Sequence, residues 1–161
     1  MSRSNALRLA ALLLALPALF AAASAPASAE GEILILPSAG YYLDAEEPYV
    51  GLAVEFPIGN GWRLSPGIEY VFVDDGDLYA LNVDFIYDFE FEGGITFWAG
   101  AGPALVVADY EDDGVTIDDT DLGLDVLGGV SFDAGAIDPF LQVKFTFADD
   151  TETVLTGGIR F

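Results

Sequence analysis

The sequence predicts an all-β chain: an eight-stranded antiparallel up-and-down transmembrane β-barrel over residues 30–161, preceded by a cleavable signal peptide over residues 1–29. Three observations predict it. Eight segments alternate apolar and polar residues, each long enough for a tilted membrane-crossing strand. The connections between them alternate between acidic stretches and short glycine-containing turns. Finally, no segment after residue 29 is the long apolar run of a membrane helix, and a closed barrel is the other structure that satisfies every backbone polar group in lipid.

The leader has the three parts that export requires. Arg3 and Arg8 form a basic start, an apolar run spans residues 9–23, and Ala27-Ser28-Ala29 places small residues at −3 and −1 of a cut before Glu30. A membrane-anchoring helix over residues 6–23 is the alternative. Pro17 and the small-residue cleavage site argue against it.

Cleavage leaves three basic residues against 27 acidic ones, a net charge of −24. Phosphate backbones repel such a chain, which excludes nucleic-acid binding. The sequence contains no cysteine, so neither a disulfide framework nor a thiolate metal site can form.

The predicted strands are 32–42, 49–57, 62–73, 78–90, 95–108, 122–132, 137–147 and 153–161. The second sets Val50, Leu52, Val54 and Phe56 against Gly51, Ala53 and Glu55. The third sets Trp62, Leu64, Ile68, Tyr70 and Phe72 against Arg63, Ser65, Gly67 and Glu69. In the fourth, Tyr79, Leu81, Val83, Phe85, Tyr87 and Phe89 oppose Asn82, Asp84, Asp88 and Glu90. Pro37 and Pro103 interrupt the first and fifth, where glycine and alanine blur the faces. In the last, Leu155, Ile159 and Phe161 share one face and Thr156 and Arg160 the other.

Connections one, three, five and seven are acidic: residues 44–47, 74–77, 109–121 and 149–152. Connections two, four and six, residues 59–61, 91–94 and 133–136, carry glycine where tight hairpins need positive φ. An even strand count puts both termini on one side. In a bacterial outer membrane that side is the periplasm, and the acidic connections face outward. Two aromatic belts are expected: Tyr41, Tyr49, Phe72, Tyr79 and Phe147 at the outer interface, and Phe56, Trp62, Phe89, Phe97, Phe132 and Phe161 at the periplasmic one.

On its strand count, its turn asymmetry and its C-terminal strand, the chain resembles the small eight-stranded outer-membrane barrel superfamily, the OmpA/OmpX-like membrane domain. The last strand resembles that family's assembly signal through Leu155, Ile159 and Phe161, although Ile159 stands where an aromatic is common. The resemblance implies residence in the outer membrane, contact with lipid and lipopolysaccharide, and handling by the barrel-assembly machinery through the C-terminal strand. It also implies a monomer without cofactors. No peptidoglycan-binding domain is expected after the barrel.

All three basic residues of the mature chain, Arg63, Lys144 and Arg160, fall on polar faces, because a cation facing lipid near the midplane costs roughly 2–4 kcal/mol. Turn lengths suggest partners: Asp125 opposite Lys144, Arg63 opposite Asp88 with Glu55 diagonal to it, and Glu32 opposite Arg160 at barrel closure. Glu69 and Asp84 complete an expected interior ion-pair network. Eight strands leave room for little beyond side chains, so the network is expected to fill the barrel; a gate over a narrow pore is the alternative reading.

Asp109, Glu111 and Asp113, followed by Gly114, resemble the first half of a calcium loop, but position twelve is Thr120 and no helices flank it. A solvated acidic loop is the primary expectation, with weak binding of divalent cations, alone or bridging to lipopolysaccharide phosphates, as the alternative. The acid excess also suits a high-salt habitat, where screening weakens self-repulsion.

These residues point to a structural or surface barrel with acidic loops. A porin-like narrow pore or small-solute transporter is the alternative, and a soluble periplasmic lipocalin-like barrel a weaker one, since acidic outer turns and aromatic belts have no role there. An enzyme is not expected. Barrel hydrolases use a histidine base and the chain has none, while the paired carboxylates Asp84 and Asp88 suit interior packing better than acid–base work.

Overall fold

A computed structural model describes residues 31–73, 76–91, 93–112 and 115–161; for residues 109–112 and 115–119 it describes the backbone alone. The predicted leader and its cleavage site lie outside the described residues. Eight strands follow one another: β1 Leu34–Tyr42, β2 Glu47–Gly59, β3 Trp62–Val71, β4 Gly76–Phe91, β5 Ile95–Asp112, β6 Val115–Phe132, β7 Asp138–Phe147 and β8 Thr151–Arg160. Each pairs antiparallel with its neighbours in sequence, and β8 closes against β1. This is the predicted closed up-and-down barrel.

Alternation decides which side of the sheet each residue takes. Leu52, Ile68, Phe85, Leu124, Leu141, Phe145 and Leu155 are exposed on the outside, whereas Glu55, Asp125, Lys144 and Arg160 are buried inside. Such a barrel is inside-out relative to a soluble one. Two clusters of buried side chains also lie inside: Leu36, Ile86, Trp98, Leu127 and Phe140 form one, and Tyr42, Tyr49, Val71 and Val154 another. The glycine turn between β2 and β3 runs through three left-handed residues, with Asn60 at φ 55° between Gly59 at 99° and Gly61 at 81°. Asn is among the few non-glycine residues that accept this region.

Several expectations are corrected. The fifth connection is not a loop over residues 109–121. The ladder between β5 and β6 continues through Asp109↔Asp118 and Glu111↔Thr116 to Asp112↔Val115. Acidic residues there sit on paired strands, and composition alone reads such strands as loop. Tyr49 is not in the outer aromatic belt: it is 2 % exposed, its ring meets that of Tyr42 edge-on at 5.4 Å, and its hydroxyl lies 2.5 Å from Thr156 Oγ1.

Three registers also shift. Leu78 pairs with Val71 rather than Val73, so Arg63 faces Ile86. Lys144 faces Leu127, and Asp125 faces Thr146. At closure Ser38 faces Gly158, while Ile35 and Phe161 exchange backbone hydrogen bonds of 2.7 and 3.2 Å, so Glu32 lies beyond the end of β8 and not opposite Arg160. The first two shifts come from turns longer than the minimum. The third is the stagger that closing a tilted sheet imposes. All three move the pairing by an even number of residues, so every side chain keeps its face.

Candidate functional site

The barrel interior is where the chain concentrates its unusual chemistry. Toward the terminus end, β3, β4, β2 and β8 converge two arginines on two carboxylates. Arg63 Nε lies 2.6 Å from Asp88 Oδ2 and 3.9 Å from Glu55 Oε2. Arg160 Nη2 lies 2.6 Å from Glu55 Oε2 and 3.4 Å from Asp88 Oδ1. Residues offset by two along paired strands point to the same side of the sheet, so Arg63 reaches Asp88 diagonally despite facing Ile86. Arg63 Nη1 also donates to the Glu32 carbonyl at 3.1 Å. Backbone, and not carboxylate, is therefore what Glu32 contributes among the described residues.

Arg160 is held by more than charge. Its Nη1 donates to Ser131 Oγ at 3.4 Å, and its guanidinium carbon lies 4.8 Å from the centre of the Trp98 ring. A cation over an indole face gains further attraction when desolvated. Trp98 in turn donates Nε1–H to Gln142 Oε1 at 3.1 Å. Gly129 makes room for that indole: a Cβ there would stand 2.5 Å from the Trp98 ring atom Cε2.

Toward the acidic-loop end, β7 carries the one interior lysine. Lys144, 1 % exposed, places Nζ 2.5 Å from Glu69 Oε1 and 3.7 Å from Asp125 Oδ2. Glu69 also accepts from the Tyr42 hydroxyl at 2.5 Å and from Asn82 Nδ2 at 3.4 Å. Thr146 donates to Asp125 Oδ1 at 2.7 Å. Asp84 faces the same interior, but no ion pair to it occurs among the described residues, and its Oδ1 has no hydrogen-bond partner.

Between the two charged layers lies a cavity of about 40 Å³, with Asp84, Ser65, Asn82, Gln142 and Thr156 among its walls. An eight-stranded barrel has an interior just wide enough for side chains to fill. The arrangement can brace strands across the barrel and obstruct its axis.

The remaining candidates fall elsewhere. Leu155, Ile159 and Phe161 are exposed on the outer surface, in line with their shared phase. Of the calcium-like segment, Asp109 and Glu111 lie within β5, paired with Asp118 and Thr116 of β6, and Asp113 lies outside the described residues. At the acidic-loop end, two acids have structural work. Asp44 accepts from the Thr153 amide at 2.8 Å, and Glu152 from the Ala45 amide at 3.3 Å, tying the first connection to the start of β8.

Sequence reasoning missed Tyr42, Tyr49, Trp98, Gln142 and Thr146 as interior partners. Trp98 was legible by parity, since it alternates with the outward Phe97 in β5. Tyr49 was legible in the same way, alternating with Val50.

No family model matches the chain, and no curated protein matches it by sequence. Solved structures do match in fold. The N-terminal β-barrel domain of Pseudomonas aeruginosa OprF superposes with a TM-score of 0.66 at 13 % identity, covering 80 % of this chain and 96 % of that one. Neisserial surface protein A gives 0.64 at 19 % identity, covering 80 % and 94 %. Ail, the attachment invasion locus protein of Yersinia pestis, gives 0.60 at 16 % identity, covering 80 % and 97 %. The chain thus shares the small eight-stranded barrel fold of these proteins.

Proposed function

We propose that this chain is an integral protein of the bacterial outer membrane with a structural and surface role, closed along its axis by interior ion pairs and presenting acidic loops to the exterior. The observation that carries this reading is the inversion of the barrel. A belt of outward Leu, Ile, Val and Phe side chains encloses buried Glu55, Asp125, Lys144 and Arg160. In water such an outer surface is an aggregation hazard, whereas in lipid it is what the solvent requires.

The fold likeness to OprF, NspA and Ail supports the same location. Residues 1–29 serve as the export signal, and both termini lie in the periplasm. Leu155, Ile159 and Phe161 present the last strand to the barrel-assembly machinery. Lipid and lipopolysaccharide are the surroundings of the outer face, and the barrel works as a monomer without cofactor or catalysis.

Closure of the axis favours the structural role over a pore. Arg160 spans from β8 to Glu55 and Asp88, and Lys144 spans from β7 to Glu69. Reconstitution in planar bilayers tests it. Stable, electrically silent insertion is expected, and defined single-channel steps would replace this reading with a narrow transport barrel. Protease added to intact cells is expected to cut within the β5–β6 hairpin and to spare the termini; the opposite pattern would reverse the orientation.

A further inference from the structure

The two charged layers of the interior differ in their balance. At the terminus end, Arg63 and Arg160 meet Glu55 and Asp88, two cations for two carboxylates. At the acidic-loop end, Lys144 is the only cation among the described residues, and it already serves both Glu69 and Asp125. Asp84 adds a third carboxylate to this layer. It is 4 % exposed, and the neighbouring charges that act on it are Asp125, Lys144 and Glu69. Its Oδ1 and the Oδ2 of Asp125 are both buried without a hydrogen-bond partner.

Ionised, a carboxylate buried without a partner is among the costliest groups a protein can hold, so Asp84 either keeps its proton or is compensated by a cation. The place for it is at hand. Asp84 lines the 40 Å³ cavity together with the hydroxyls of Ser65 and Thr156 and the amides of Asn82 and Gln142. Since a water needs about 10–15 Å³, the space holds a small ion with one or two waters. Its walls offer oxygen donors and no sulfur or imidazole, which suits a hard cation. Among the described residues no three acidic side chains converge as ligands of a multiply charged metal would. Of the three carboxylates on its walls, Glu55 is paired with Arg160 and Glu69 with Lys144, so Asp84 alone is left without an ion pair among the described residues, and one such carboxylate suits a single positive charge.

We propose that the mid-barrel cavity binds one monovalent cation of the sodium or potassium class on Asp84, with neutral oxygens of Ser65, Thr156 and the lining amides completing its shell. The ion supplies the charge that Lys144 cannot and couples β4 to the strands across the cavity. The inference rests on the closed barrel and its interior, not on the membrane role, so either can fail without the other.

Thermal unfolding of the barrel folded in a neutral detergent decides it, at one ionic strength in sodium chloride, potassium chloride or N-methyl-D-glucamine chloride. At about ten times the dissociation constant, sodium or potassium is expected to raise the melting temperature by roughly 3–6 °C over the organic cation. Asp84→Asn, close to isosteric, is expected to abolish that difference while leaving general salt effects on the acidic loops in place. Should that variant not fold, Ser65→Ala is compared instead, with a reduced difference expected. Equal melting temperatures of the unsubstituted barrel in all three salts overturn the proposal and leave a proton or water on Asp84. A cation-specific rise that survives intact in Asp84→Asn, or in Ser65→Ala where that variant stands in, overturns it too, by placing the ion elsewhere.

Discussion

Arg160 Nη2 stands 2.6 Å from Glu55 Oε2, joining β8 to β2 with the whole of β1 between them in the sheet. The guanidinium rests over Trp98 of β5 and reaches Asp88 of β4. One side chain thereby gathers groups from strands on both sides of the barrel, beside the seam where the sheet closes. Removing it leaves Glu55 buried with Arg63 at 3.9 Å as its remaining cation. Arg160→Ala is therefore expected to lower barrel stability by about 3–5 kcal/mol, read from urea unfolding in lipid vesicles. Combining Arg160→Met with Glu55→Gln is expected to recover most of that loss. A double-mutant cycle with no coupling between the two sites would remove the pair from the account.

Lys144 offers a second test in the other charged layer. With Nζ 2.5 Å from Glu69 and 3.7 Å from Asp125, it holds two carboxylates that otherwise repel each other. Lys144→Ala is expected to lower the melting temperature in detergent, with a loss on the order of 3–5 kcal/mol. An unchanged melting temperature would show that the lysine braces nothing.

The faces of the strands were legible in the sequence, and the reason is physical. On the proposed reading, alternation is set by lipid on one side and the lumen on the other, so Arg63, Lys144 and Arg160 had one side to go to. Register was less legible. Asp125 reaches Lys144 from opposite Thr146, because the turn between β6 and β7 is longer than the shortest hairpin allowed by Asp133–Ala136. There Asp133 Oδ1 accepts from the Gly135 amide at 2.9 Å, a local turn that composition does not announce. The stagger that carries Glu32 past the end of β8 is a property of the closed sheet, and no single strand encodes it. Asp84 was legible as an interior acid but not as an unpaired one, since pairing depends on which diagonal neighbours reach it.

Adjacent glycines on β6 separate packing from backbone freedom. A Cβ on Gly129 would run into the Trp98 indole and stand 2.7 Å from the Leu141 carbonyl oxygen, whereas one on Gly128 would find its nearest neighbour at 3.5 Å, an ordinary contact. Gly129→Ala is expected to cost about 1–3 kcal/mol by displacing Trp98 from beneath Arg160. Gly128→Ala is expected to be neutral or to stabilise by up to about 1 kcal/mol, through the reduced freedom of the unfolded chain. The intrinsic fluorescence of Trp98 checks the mechanism against that of Trp62, which packs on Tyr87 outside the barrel with ring centres 5.1 Å apart. In a Trp62→Phe background, Gly129→Ala should shift the emission and Gly128→Ala should not.

The outer surface makes the last prediction. Leu141 lies near the middle of β7, 62 % exposed, between Val130 of β6 and Gly157 of β8. If that surface meets hydrocarbon, Leu141→Arg places a guanidinium in it and is expected to cost roughly 2–4 kcal/mol when the barrel is folded into vesicles. In a micelle, where detergent can rearrange around the charge and water lies close, the same substitution is expected to cost much less. Arginine at Gln142, one residue along, faces the interior instead and loses the bond to Trp98, so its penalty should be similar in both media. The contrast isolates lipid from packing. An equal cost for Leu141→Arg in vesicles and micelles would mean that β7 does not present this residue to a bilayer.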